Sequence, residues 1–414
     1  MVSSFPEVKE RKAALPPRED IRVAWLFPTL ARAYYWQPVF KEFVSRCPDT
    51  AIFTSIWPGF ASGYDGAFKV CTLSGLRYID LKKPVRDSRR GFIWTPPSIL
   101  KELAAFKPDV VFACGFSGWT LSAFLFKLLR GSRIIIYWEG CSAQSVGRSK
   151  IKATLRRLIG RFADAAVTNA EEGAAYLRDV VAMAGEKVLC HPCQVPDLSL
   201  LGSLSTEVGL STVKRPVFLY VGSISPRKGW NYLLEAVHQL VSRGISQFSV
   251  LFVGSGEQDE ELRAAIKDRK LESIVHQVGA VAYHNLGSYY HAADVFVSPT
   301  RADTWGVAVL EAMAFGKPVL CSKYAGTRQM VAHGENGFVF DPFNARELAD
   351  YMAKFIQDKN LISELGTRSR EKIAPYTPAR AAEVVADVAL GTIQNRRHSQ
   401  HSRMSSVPVH EARS

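Results

Sequence analysis

The stretch from Val297 to Leu320 constrains the fold more than any other part of the chain. It runs V-S-P-T-R-A-D-T-W-G-V-A-V-L-E-A-M-A-F-G-K-P-V-L. This pattern predicts the end of a buried strand, a polar turn at Thr300–Thr304, an apolar helix at Val307–Phe315 and the start of another buried strand. Gly316 can end the helix in a left-handed conformation, and Pro318 prevents it from continuing. Strand, helix and strand in this order predict an α/β fold.

Two carboxylates lie in this stretch. Asp303 precedes the helix and could cap its amino terminus. Glu311 lies in the middle of a helix that has little polar surface, where a carboxylate needs hydrogen-bond partners. A ribose diol, with two O–H donors, is one such partner. The simpler alternative is that Asp303 only caps the helix and that Glu311 is solvated.

The spacing of these acids resembles the signature of nucleotide-sugar glycosyltransferases of family 4, the "glycosyl transferases group 1" type. The stretch from Glu311 to Val319 matches that family's Glu-Ala-Met-Ala-x-Gly-x-Pro-Val, and Asp303 replaces the usual first Glu. The resemblance implies that Asp303 and the backbone amides of Trp305, Gly306 and Val307 hold the donor sugar. It also implies that Glu311 holds the ribose.

A second motif precedes the acids by 75 residues, counted from Lys228 to Asp303. A predicted strand at Arg215–Val221 leads into a Gly-containing turn and a helix from Trp230. A helix amino terminus binds anions through its free N–H groups and its dipole. Lys228 and Arg227 would add positive charge that stabilises a leaving diphosphate.

The resemblance also assigns donor-binding roles to Gly222 and Ser223 in this turn and, at a later strand end, to Val278 and Gly279.

The resemblance is weaker in the first 200 residues. The first strand, Ile21–Phe27, is followed by Pro28-Thr29-Leu30-Ala31-Arg32 where the family has a Gly-rich turn. The strand in KPDVVFACG lacks the His that the family often has. Glu139 follows another predicted strand, and the carboxyl ends of parallel strands face the ligand crevice. Glu139 is therefore a candidate acceptor contact or base, or alternatively a salt-bridged residue at a strand end.

Composition and charge favour a globular protein with an uneven surface charge. Hydrophobic residues make up 47% of the 414 residues, and the net charge is +13. Residues 1–200 hold 28 Lys/Arg and 18 Asp/Glu, whereas residues 201–414 hold 24 and 21. The scattered Cys residues and the absence of a signal-peptide pattern predict a cytoplasmic protein. The basic first half would also suit peripheral attachment to the inner face of an anionic membrane.

Three segments bear on membrane contact. Val110–Phe126 is uncharged but shorter than the ~20 residues that a span needs, and it is better explained by a strand at 110–114 and a buried helix to about Leu129. Lys150–Phe162 has apolar residues at helical spacing among basic ones. Such a helix can lie on an anionic membrane or pack on its own domain, and we favour packing. The basic run Lys82–Arg90 predicts a solvated loop, with anionic lipid or an anionic acceptor as the alternative partner.

Cys190, His191 and Cys193 are close together but have no second Cys/His pair nearby. We therefore expect no metal site. The resemblance implies no cofactor, since the nucleotide-sugar is a substrate, and nothing in the sequence indicates nucleic acid as a partner.

The predicted fold is two doubly wound Rossmann-like domains facing each other across a cleft, the GT-B arrangement. The predicted divisions are a flexible arm at 1–20, an acceptor-side domain at 21–195, a linker at 196–214, a donor-binding domain at 215–370, a helix returning to the first domain at 371–390, and a disordered tail at 391–414.

The resemblance implies a retaining hexosyltransferase that moves a sugar from a nucleotide-sugar to a hydroxyl of a glycan or lipid-linked acceptor, in polysaccharide or glycolipid biosynthesis. The alternatives are a catalytically silent nucleotide-binding or scaffolding partner in a glycan assembly complex, and a sugar-nucleotide epimerase of the same fold. The Glu311-Ala312-Met313 sequence argues against the epimerase.

Overall fold

The structure, a computed structural model, describes residues 21–31, 34–73, 78–85, 88–139, 150–202 and 213–404. The predicted arm at 1–20, Arg32 and most of the predicted linker lie outside the described residues. Two parallel sheets, one in each half of the chain, confirm the predicted α/β class.

The first sheet has seven parallel strands in the order β3-β2-β1-β6-β7-β8-β9. The order runs outward in both directions from β1 and β6, which is the topology of a doubly wound sheet. We call the elements around it the first domain. Its strands are β1 (Val23–Phe27), β2 (Thr50–Thr54), β3 (Lys69–Thr72), β6 (Val110–Cys114), β7 (Arg133–Trp138), β8 (Ala165–Thr168) and β9 (Val188–Cys190).

A separate hairpin pairs β4 (Tyr78–Val85) with β5 (Ser88–Ile93) in antiparallel fashion. The described positions of the basic run, 82–85 and 88–90, lie in the strands of this hairpin, so the prediction of a loop is wrong there. Sequence reasoning missed the hairpin because Lys and Arg are weak strand formers, whereas the cross-strand hydrogen bonds fix an extended backbone.

Helices cover both faces of the first sheet. Apolar residues of β1 pack against α1 on one face and against α2 and α3 on the other. The segment 110–130 forms a strand and a helix, as predicted, but the prediction that the helix is buried is wrong, since one side of it carries exposed leucines. The helices are α1 (Trp36–Val44), α2 (Ser98–Phe106), α3 (Gly118–Arg130), α4 (Lys150–Phe162) and α5 (Glu171–Ala175).

The second sheet has six parallel strands in the order β12-β11-β10-β13-β14-β15. We call the elements around it the second domain. Its strands are β10 (Val217–Val221), β11 (Ser249–Val253), β12 (Val275–Gly279), β13 (Val295–Ser298), β14 (Val319–Ser322) and β15 (Gly337–Phe340). Its helices are α6 (Trp230–Ser242), α7 (Asp259–Asp268), α8 (Leu286–Ala292), α9 (Val307–Ala314), α10 (Ala345–Gln357) and α11 (Asn360–Ile373).

The last helix, α12 (Pro378–Met404), returns to the first domain, where Ala382, Val385 and Ala389 join the core formed by β1 and α1. It continues to Met404, whereas the sequence places a disordered tail from residue 391. Beyond Gly391, Thr392 and Ile393 are still buried, and their packing stabilises this helical turn. The amino-acid composition of the segment does not reveal that packing. Among the described residues, no helix is long and apolar enough to cross a membrane.

Candidate active site

Three charged side chains meet where β10 and β13 end. The Asp303 carboxylate lies 2.5 Å from Lys228 Nζ through Oδ2 and 3.4 Å from Arg227 Nη1 through Oδ1. The Asp303 side chain is only 12% exposed. The two basic residues predicted for a diphosphate and the acid predicted for the donor sugar therefore form a single cluster, which we call the cation–acid cluster.

The backbone around Lys228 holds this cluster in place. Gly229 adopts a left-handed conformation at φ 70°, and a Cβ there would lie 2.1 Å from the Pro299 carbonyl oxygen. Arg227 also fixes the opposing turn, since its guanidinium donates to the Ala302 carbonyl and its own carbonyl accepts the Thr300 hydroxyl. Only glycine at 229 lets α6 begin this close to the turn that carries Asp303.

Charge compensation sets the ionisation of Asp303. Burial alone would raise the pKa of this carboxyl, but the charges of Lys228 and Arg227 outweigh burial and hold the pKa below its ordinary value. Asp303 is therefore an anion at neutral pH.

Asp303 does not cap α9, so that part of the sequence prediction is wrong. The cap is Gly306, at φ 93°, and no side chain caps the helix there. A Cβ on Gly306 would lie 3.4 Å from Asp303 Oδ2, so the amino terminus of α9 begins directly beside the carboxylate. The first N–H groups of a helix have no intrahelical acceptor. Asp303 and the start of α9, with Gly306 and Val307, therefore border one polar space.

Glu311 is buried, with 3% exposure, which excludes the solvated alternative. The Tyr283 hydroxyl donates to its Oε1 at 2.8 Å, and the Tyr290 hydroxyl donates to its Oε2 at 2.7 Å. Burial raises the pKa of Glu311 above its ordinary value, and the two phenol hydrogen bonds oppose that rise. The carboxylate that the sequence assigns to a ribose thus already has O–H donors from its own chain.

Glu139 faces this region from the first domain. Gln194 donates to its Oε1 at 2.9 Å, and the Gln194 carbonyl accepts the indole N–H of Trp305 at 2.8 Å. Burial first, and then the charge of Asp303, raise the pKa of Glu139, while the Gln194 hydrogen bond opposes the rise. Its described partner is an amide and not a cation, which disfavours the salt-bridge alternative.

Tyr35 is a cleft residue that sequence reasoning missed. Burial, followed by the charges of Glu139, Asp303 and Glu311, raises its pKa. These three acids come from both domains, so Tyr35 lies within electrostatic range of all of them. Its neighbour Tyr34 stacks on Tyr283 at 6.0 Å. In the sequence, the aromatic pair Tyr34-Tyr35 before α1 could have indicated this residue.

The remaining predicted donor-binding residues lie at strand ends of the second domain. The Gly222 N–H donates to the Val253 carbonyl, and the Ser223 carbonyl accepts the Tyr220 hydroxyl. Val278 and Gly279 line a cavity of about 510 Å³ together with α7 side chains. Among the described residues, this cavity and the cation–acid cluster share no lining residue. The role of Val278 and Gly279 in holding the base stays a prediction.

His191 and Cys193 are buried residues beside the domain junction. Burial, with the nearby charge of Arg380, lowers the pKa of His191 to about 4. Within the described ranges, no group of three or more His, Cys, Asp or Glu residues is arranged to hold a metal ion.

Gln329, at a position where the family that the sequence resembles has a Glu, joins the two domains. Its Nε2 donates to the Asn169 carbonyl at 3.1 Å, and its Oε1 accepts the Glu171 N–H at 3.0 Å. An amide can do both at once, whereas an ionised carboxylate can only accept. This replacement therefore suits a junction between domains.

Comparison with known proteins relates the second half of the chain to one family. The model of the family described as "Glycosyl transferases group 1" matches residues 206–372. The chain is 30% identical to the alpha-D-kanosaminyltransferase of Streptomyces kanamyceticus, over 40% of this chain and 42% of that protein. It is 29% identical to the GDP-mannose-dependent alpha-(1-6)-phosphatidylinositol monomannoside mannosyltransferase of Mycobacterium tuberculosis, over 38% of this chain and 43% of that protein. This chain thus spans about half the length of the curated relatives it matches.

Among solved structures, the Anabaena protein Alr3699/HepE in complex with UDP and glucose superposes with a TM-score of 0.68 at 17% identity. The superposition covers 92% of this chain and all of that one, so the shared architecture extends over both domains. Residues 206–372 therefore match the glycosyl transferases group 1 family, in a chain that has the two-domain GT-B fold.

Proposed function

We propose that this protein is a retaining glycosyltransferase. It moves a hexose from a nucleotide-sugar to a hydroxyl of a glycan or lipid-linked acceptor, in polysaccharide or glycolipid biosynthesis. The observation that carries the proposal is the cation–acid cluster: a lysine, an arginine and an aspartate within contact distance at the start of α6 and α9. This cluster combines positive charge for a leaving diphosphate with an acceptor of sugar hydroxyl hydrogen bonds.

On the donor side, Lys228 and Arg227 bind the diphosphate. When the bond between the anomeric carbon and the diphosphate oxygen breaks, negative charge grows on that oxygen, and preorganised cations nearby stabilise it. The cluster has two cations and one anion, so one positive charge is left uncompensated, and the amino terminus of α6 adds to it. These groups neutralise the negative charge of the diphosphate, so the proposal needs no metal ion or other cofactor.

The sugar and the nucleoside occupy the neighbouring space. Asp303 accepts hydrogen bonds from the hexose hydroxyls, and the amides of Trp305, Gly306 and Val307 donate to the hexose. Glu311 binds the ribose diol. The ribose must either share the carboxylate with the Tyr283 hydroxyl or displace that hydroxyl, which is a cost unless Tyr283 finds another partner.

The base lies along the second-domain strand ends. Gly222, Ser223, Val278 and Gly279 contact it or the adjoining phosphate, chiefly through main-chain groups. The Anabaena protein was solved in complex with UDP and glucose, which supports a uridine nucleotide as the first donor to test.

On the acceptor side, Glu139 contacts the incoming hydroxyl. The new bond joins the acceptor oxygen to the anomeric carbon on the side from which the diphosphate leaves, so the configuration is retained, and the hydroxyl proton passes to the Glu139 carboxylate. A raised pKa makes this carboxylate a stronger base than an ordinary Glu. The name of the mycobacterial relative, a phosphatidylinositol monomannoside mannosyltransferase, supports a lipid-linked acceptor.

A screen of nucleotide-sugars by thermal shift tests donor binding, since a ligand that binds only the folded protein raises its apparent stability. The donor that shifts the transition is then incubated with an acceptor library, and NMR of the product reports its anomeric configuration. The double variant Lys228→Ala/Glu311→Ala should abolish both shift and turnover. Turnover by that variant at the wild-type rate, or an inverted anomer, would contradict the proposal.

A catalytically silent nucleotide-binding partner is the second candidate. The observation that favours it is internal pairing, since Asp303 is satisfied by cations and Glu311 by two tyrosines of the same chain. A folded protein that binds a nucleotide-sugar, yet neither hydrolyses nor transfers it with any acceptor of the library, would decide for this candidate.

A further inference from the structure

The helices α3 and α4 carry most of the exposed large apolar side chains in the described part of the chain. Eight of the twelve such residues lie on these two helices. Leu128 is 84% exposed and Ile151 is 82% exposed. A monomer rarely leaves such a cluster in water without a function for it. We call the set the α3–α4 face; it consists of Leu121, Leu125, Leu128, Leu129, Ile151, Leu155, Leu158 and Phe162.

The apolar stripe of α4 points away from the protein. Ile151, Leu155, Leu158 and Phe162 recur at helical spacing and are all exposed, although the sequence favours packing of this helix on its own domain. Of the apolar residues at 151, 155, 158, 159 and 162, only Ile159 is buried. The helix therefore does pack on its own domain, as we favoured, but through the side that carries Ile159 and not through the stripe.

Arg156 accounts for the inverted orientation. Its guanidinium lies 5.5 Å from the ring centroids of Phe116 and Trp138 and 5.8 Å from that of Tyr176, and it donates to the Tyr176 hydroxyl at 2.6 Å. An arginine among three aromatic rings gains cation–π attraction that an aliphatic side chain does not. Because this contact holds the Arg156 side of α4 against the domain, the side that carries the leucines faces solvent.

The two helices form one continuous surface. The connections β6–α3–β7 and β7–α4–β8 follow adjacent parallel strands, so right-handed crossovers place both helices on the same side of the sheet. Lys127 of α3 donates to the Phe162 carbonyl at the end of α4 at 2.8 Å. The two exposed stripes therefore lie side by side.

The charges on the two helices of the α3–α4 face have one sign. Neither helix contains an acidic residue, and Arg130, Lys152, Arg157 and Arg161 are exposed beside the stripes. Apolar side chains bordered by Lys and Arg match the boundary between acyl chains and anionic headgroups, where an interfacial helix buries its apolar face.

We infer that the α3–α4 face docks on an anionic lipid bilayer, with its leucines entering the interface and its arginines contacting the headgroups. Arg156 fixes α4 to Trp138, the residue before Glu139, so docking would hold the acceptor side of the cleft near the bilayer. The role of docking in acceptor delivery rests on the proposed function, whereas docking itself does not.

Sedimentation with vesicles tests the inference on the full chain. We expect binding to vesicles of phosphatidylcholine with phosphatidylglycerol at low salt, and much weaker binding to phosphatidylcholine alone. The variant Arg130→Gln/Arg161→Gln should bind about fivefold more weakly per charge removed. Leu128→Gln/Ile151→Gln should lose most of the binding that persists at high salt, because salt screens charges but not apolar burial.

The matched control is Leu198→Gln/Phe343→Gln, which removes exposed apolar side chains outside the face and should bind like the wild type. Equal binding by this control and by Leu128→Gln/Ile151→Gln would overturn the inference. So would a dimer, seen by sedimentation without lipid, that only the α3–α4 variants dissociate, since the face would then pair two copies. Because no donor is present, the outcome is independent of whether the protein transfers sugar.

Discussion

The two walls of the cleft neutralise their acids in different ways. On the second-domain wall, Asp303 is paired with two cations and Glu311 accepts two phenol hydrogen bonds. On the first-domain wall, Glu139 accepts a hydrogen bond from the side-chain amide of Gln194, and its pKa is raised by burial and by the charge of Asp303.

This difference separates two chemical tasks. A wall whose acids are already paired and whose cations are held in place can bind and stabilise charge without reorganising. A desolvated acid held by a neutral amide has an ionisation state that responds to what binds next to it. The second wall therefore suits donor recognition, and the first suits proton transfer.

The largest expected effect is on the second wall. Lys228→Ala should lower kcat/KM for the donor by a factor of about 10² to 10³, since one preorganised charge-stabilising group commonly contributes that much. Steady-state turnover over a range of donor concentrations measures it. The variant also leaves a mostly buried Asp303 with Arg227 as its remaining cluster partner, so its folding must be checked by circular dichroism.

Arg243→Ala is the control for that variant. It removes the cation of an ion pair with Asp350 at the opposite end of α6. This pair is exposed, and exposed pairs contribute little to stability. A loss of turnover in Arg243→Ala comparable to that in Lys228→Ala would mean that disturbance of α6, and not the charge at its amino terminus, explains the result.

A smaller effect is expected on the first wall. Glu139→Gln keeps the side-chain size but removes the base, so transfer to the acceptor should fall by a factor of about 10². Donor affinity should be unchanged, because no donor group is assigned to this wall. Measured together, acceptor transfer and donor-induced thermal shift separate the two. Equal losses of acceptor transfer and of the donor-induced thermal shift would mean that the two walls do not have separate tasks.

The Glu311 carboxylate should affect affinity more than rate. Glu311→Gln should weaken nucleotide-sugar binding by about 1.5 to 3 kcal/mol, the scale of hydrogen bonds made to a charged group. Titration calorimetry measures this change. Tyr290→Phe removes one of the two phenol donors but leaves the carboxylate, and it should weaken binding less. The reverse order would place the tyrosine, and not the acid, in contact with the donor.

The sequence predicted much of the second wall because its functional groups lie in contiguous motifs. Lys228-Gly229 and the stretch from Trp305 to Glu311 each lie where a helix starts after a strand, and their resemblance to the family motif predicts that their side chains share one site. The first wall depends on distant residues. The bond from Gln194 to Glu139 joins positions 55 residues apart, and no local pattern encodes it.

The sequence was also insufficient where one contact decides the orientation of an element. The periodicity of α4 identifies an apolar stripe but does not show which way it faces, and the aromatic surroundings of Arg156 decide that. Similarly, Asp303 has the position of a helix cap, but two nearby cations attract its carboxylate more strongly than helix N–H groups do.

The smallest expected effect is a difference in pH dependence between the two acids of the second wall. The pKa of Glu311 is higher in the folded chain than in the unfolded chain, where it is about 4.3. Its contribution to folding stability is therefore fully present below the unfolded-state pKa and is lost as pH rises through the folded-state pKa. The pKa of Asp303 is lower in the folded chain than in the unfolded chain, where it is about 3.9. Its contribution to folding stability is therefore present above the unfolded-state pKa and is lost as pH falls through the folded-state pKa.

Urea unfolding of Glu311→Gln, Asp303→Asn and the wild type at several pH values checks these signs. Relative to the wild type, Glu311→Gln should gain stability as pH rises above about 4.3, whereas Asp303→Asn should be less stable at neutral pH and lose that deficit in acid. Each pKa unit of difference corresponds to about 1.4 kcal/mol. Other titrating groups, such as His191, are common to all three proteins and cancel in the comparison. Parallel stability curves would mean that neither acid is held in the ionisation state that its partners imply.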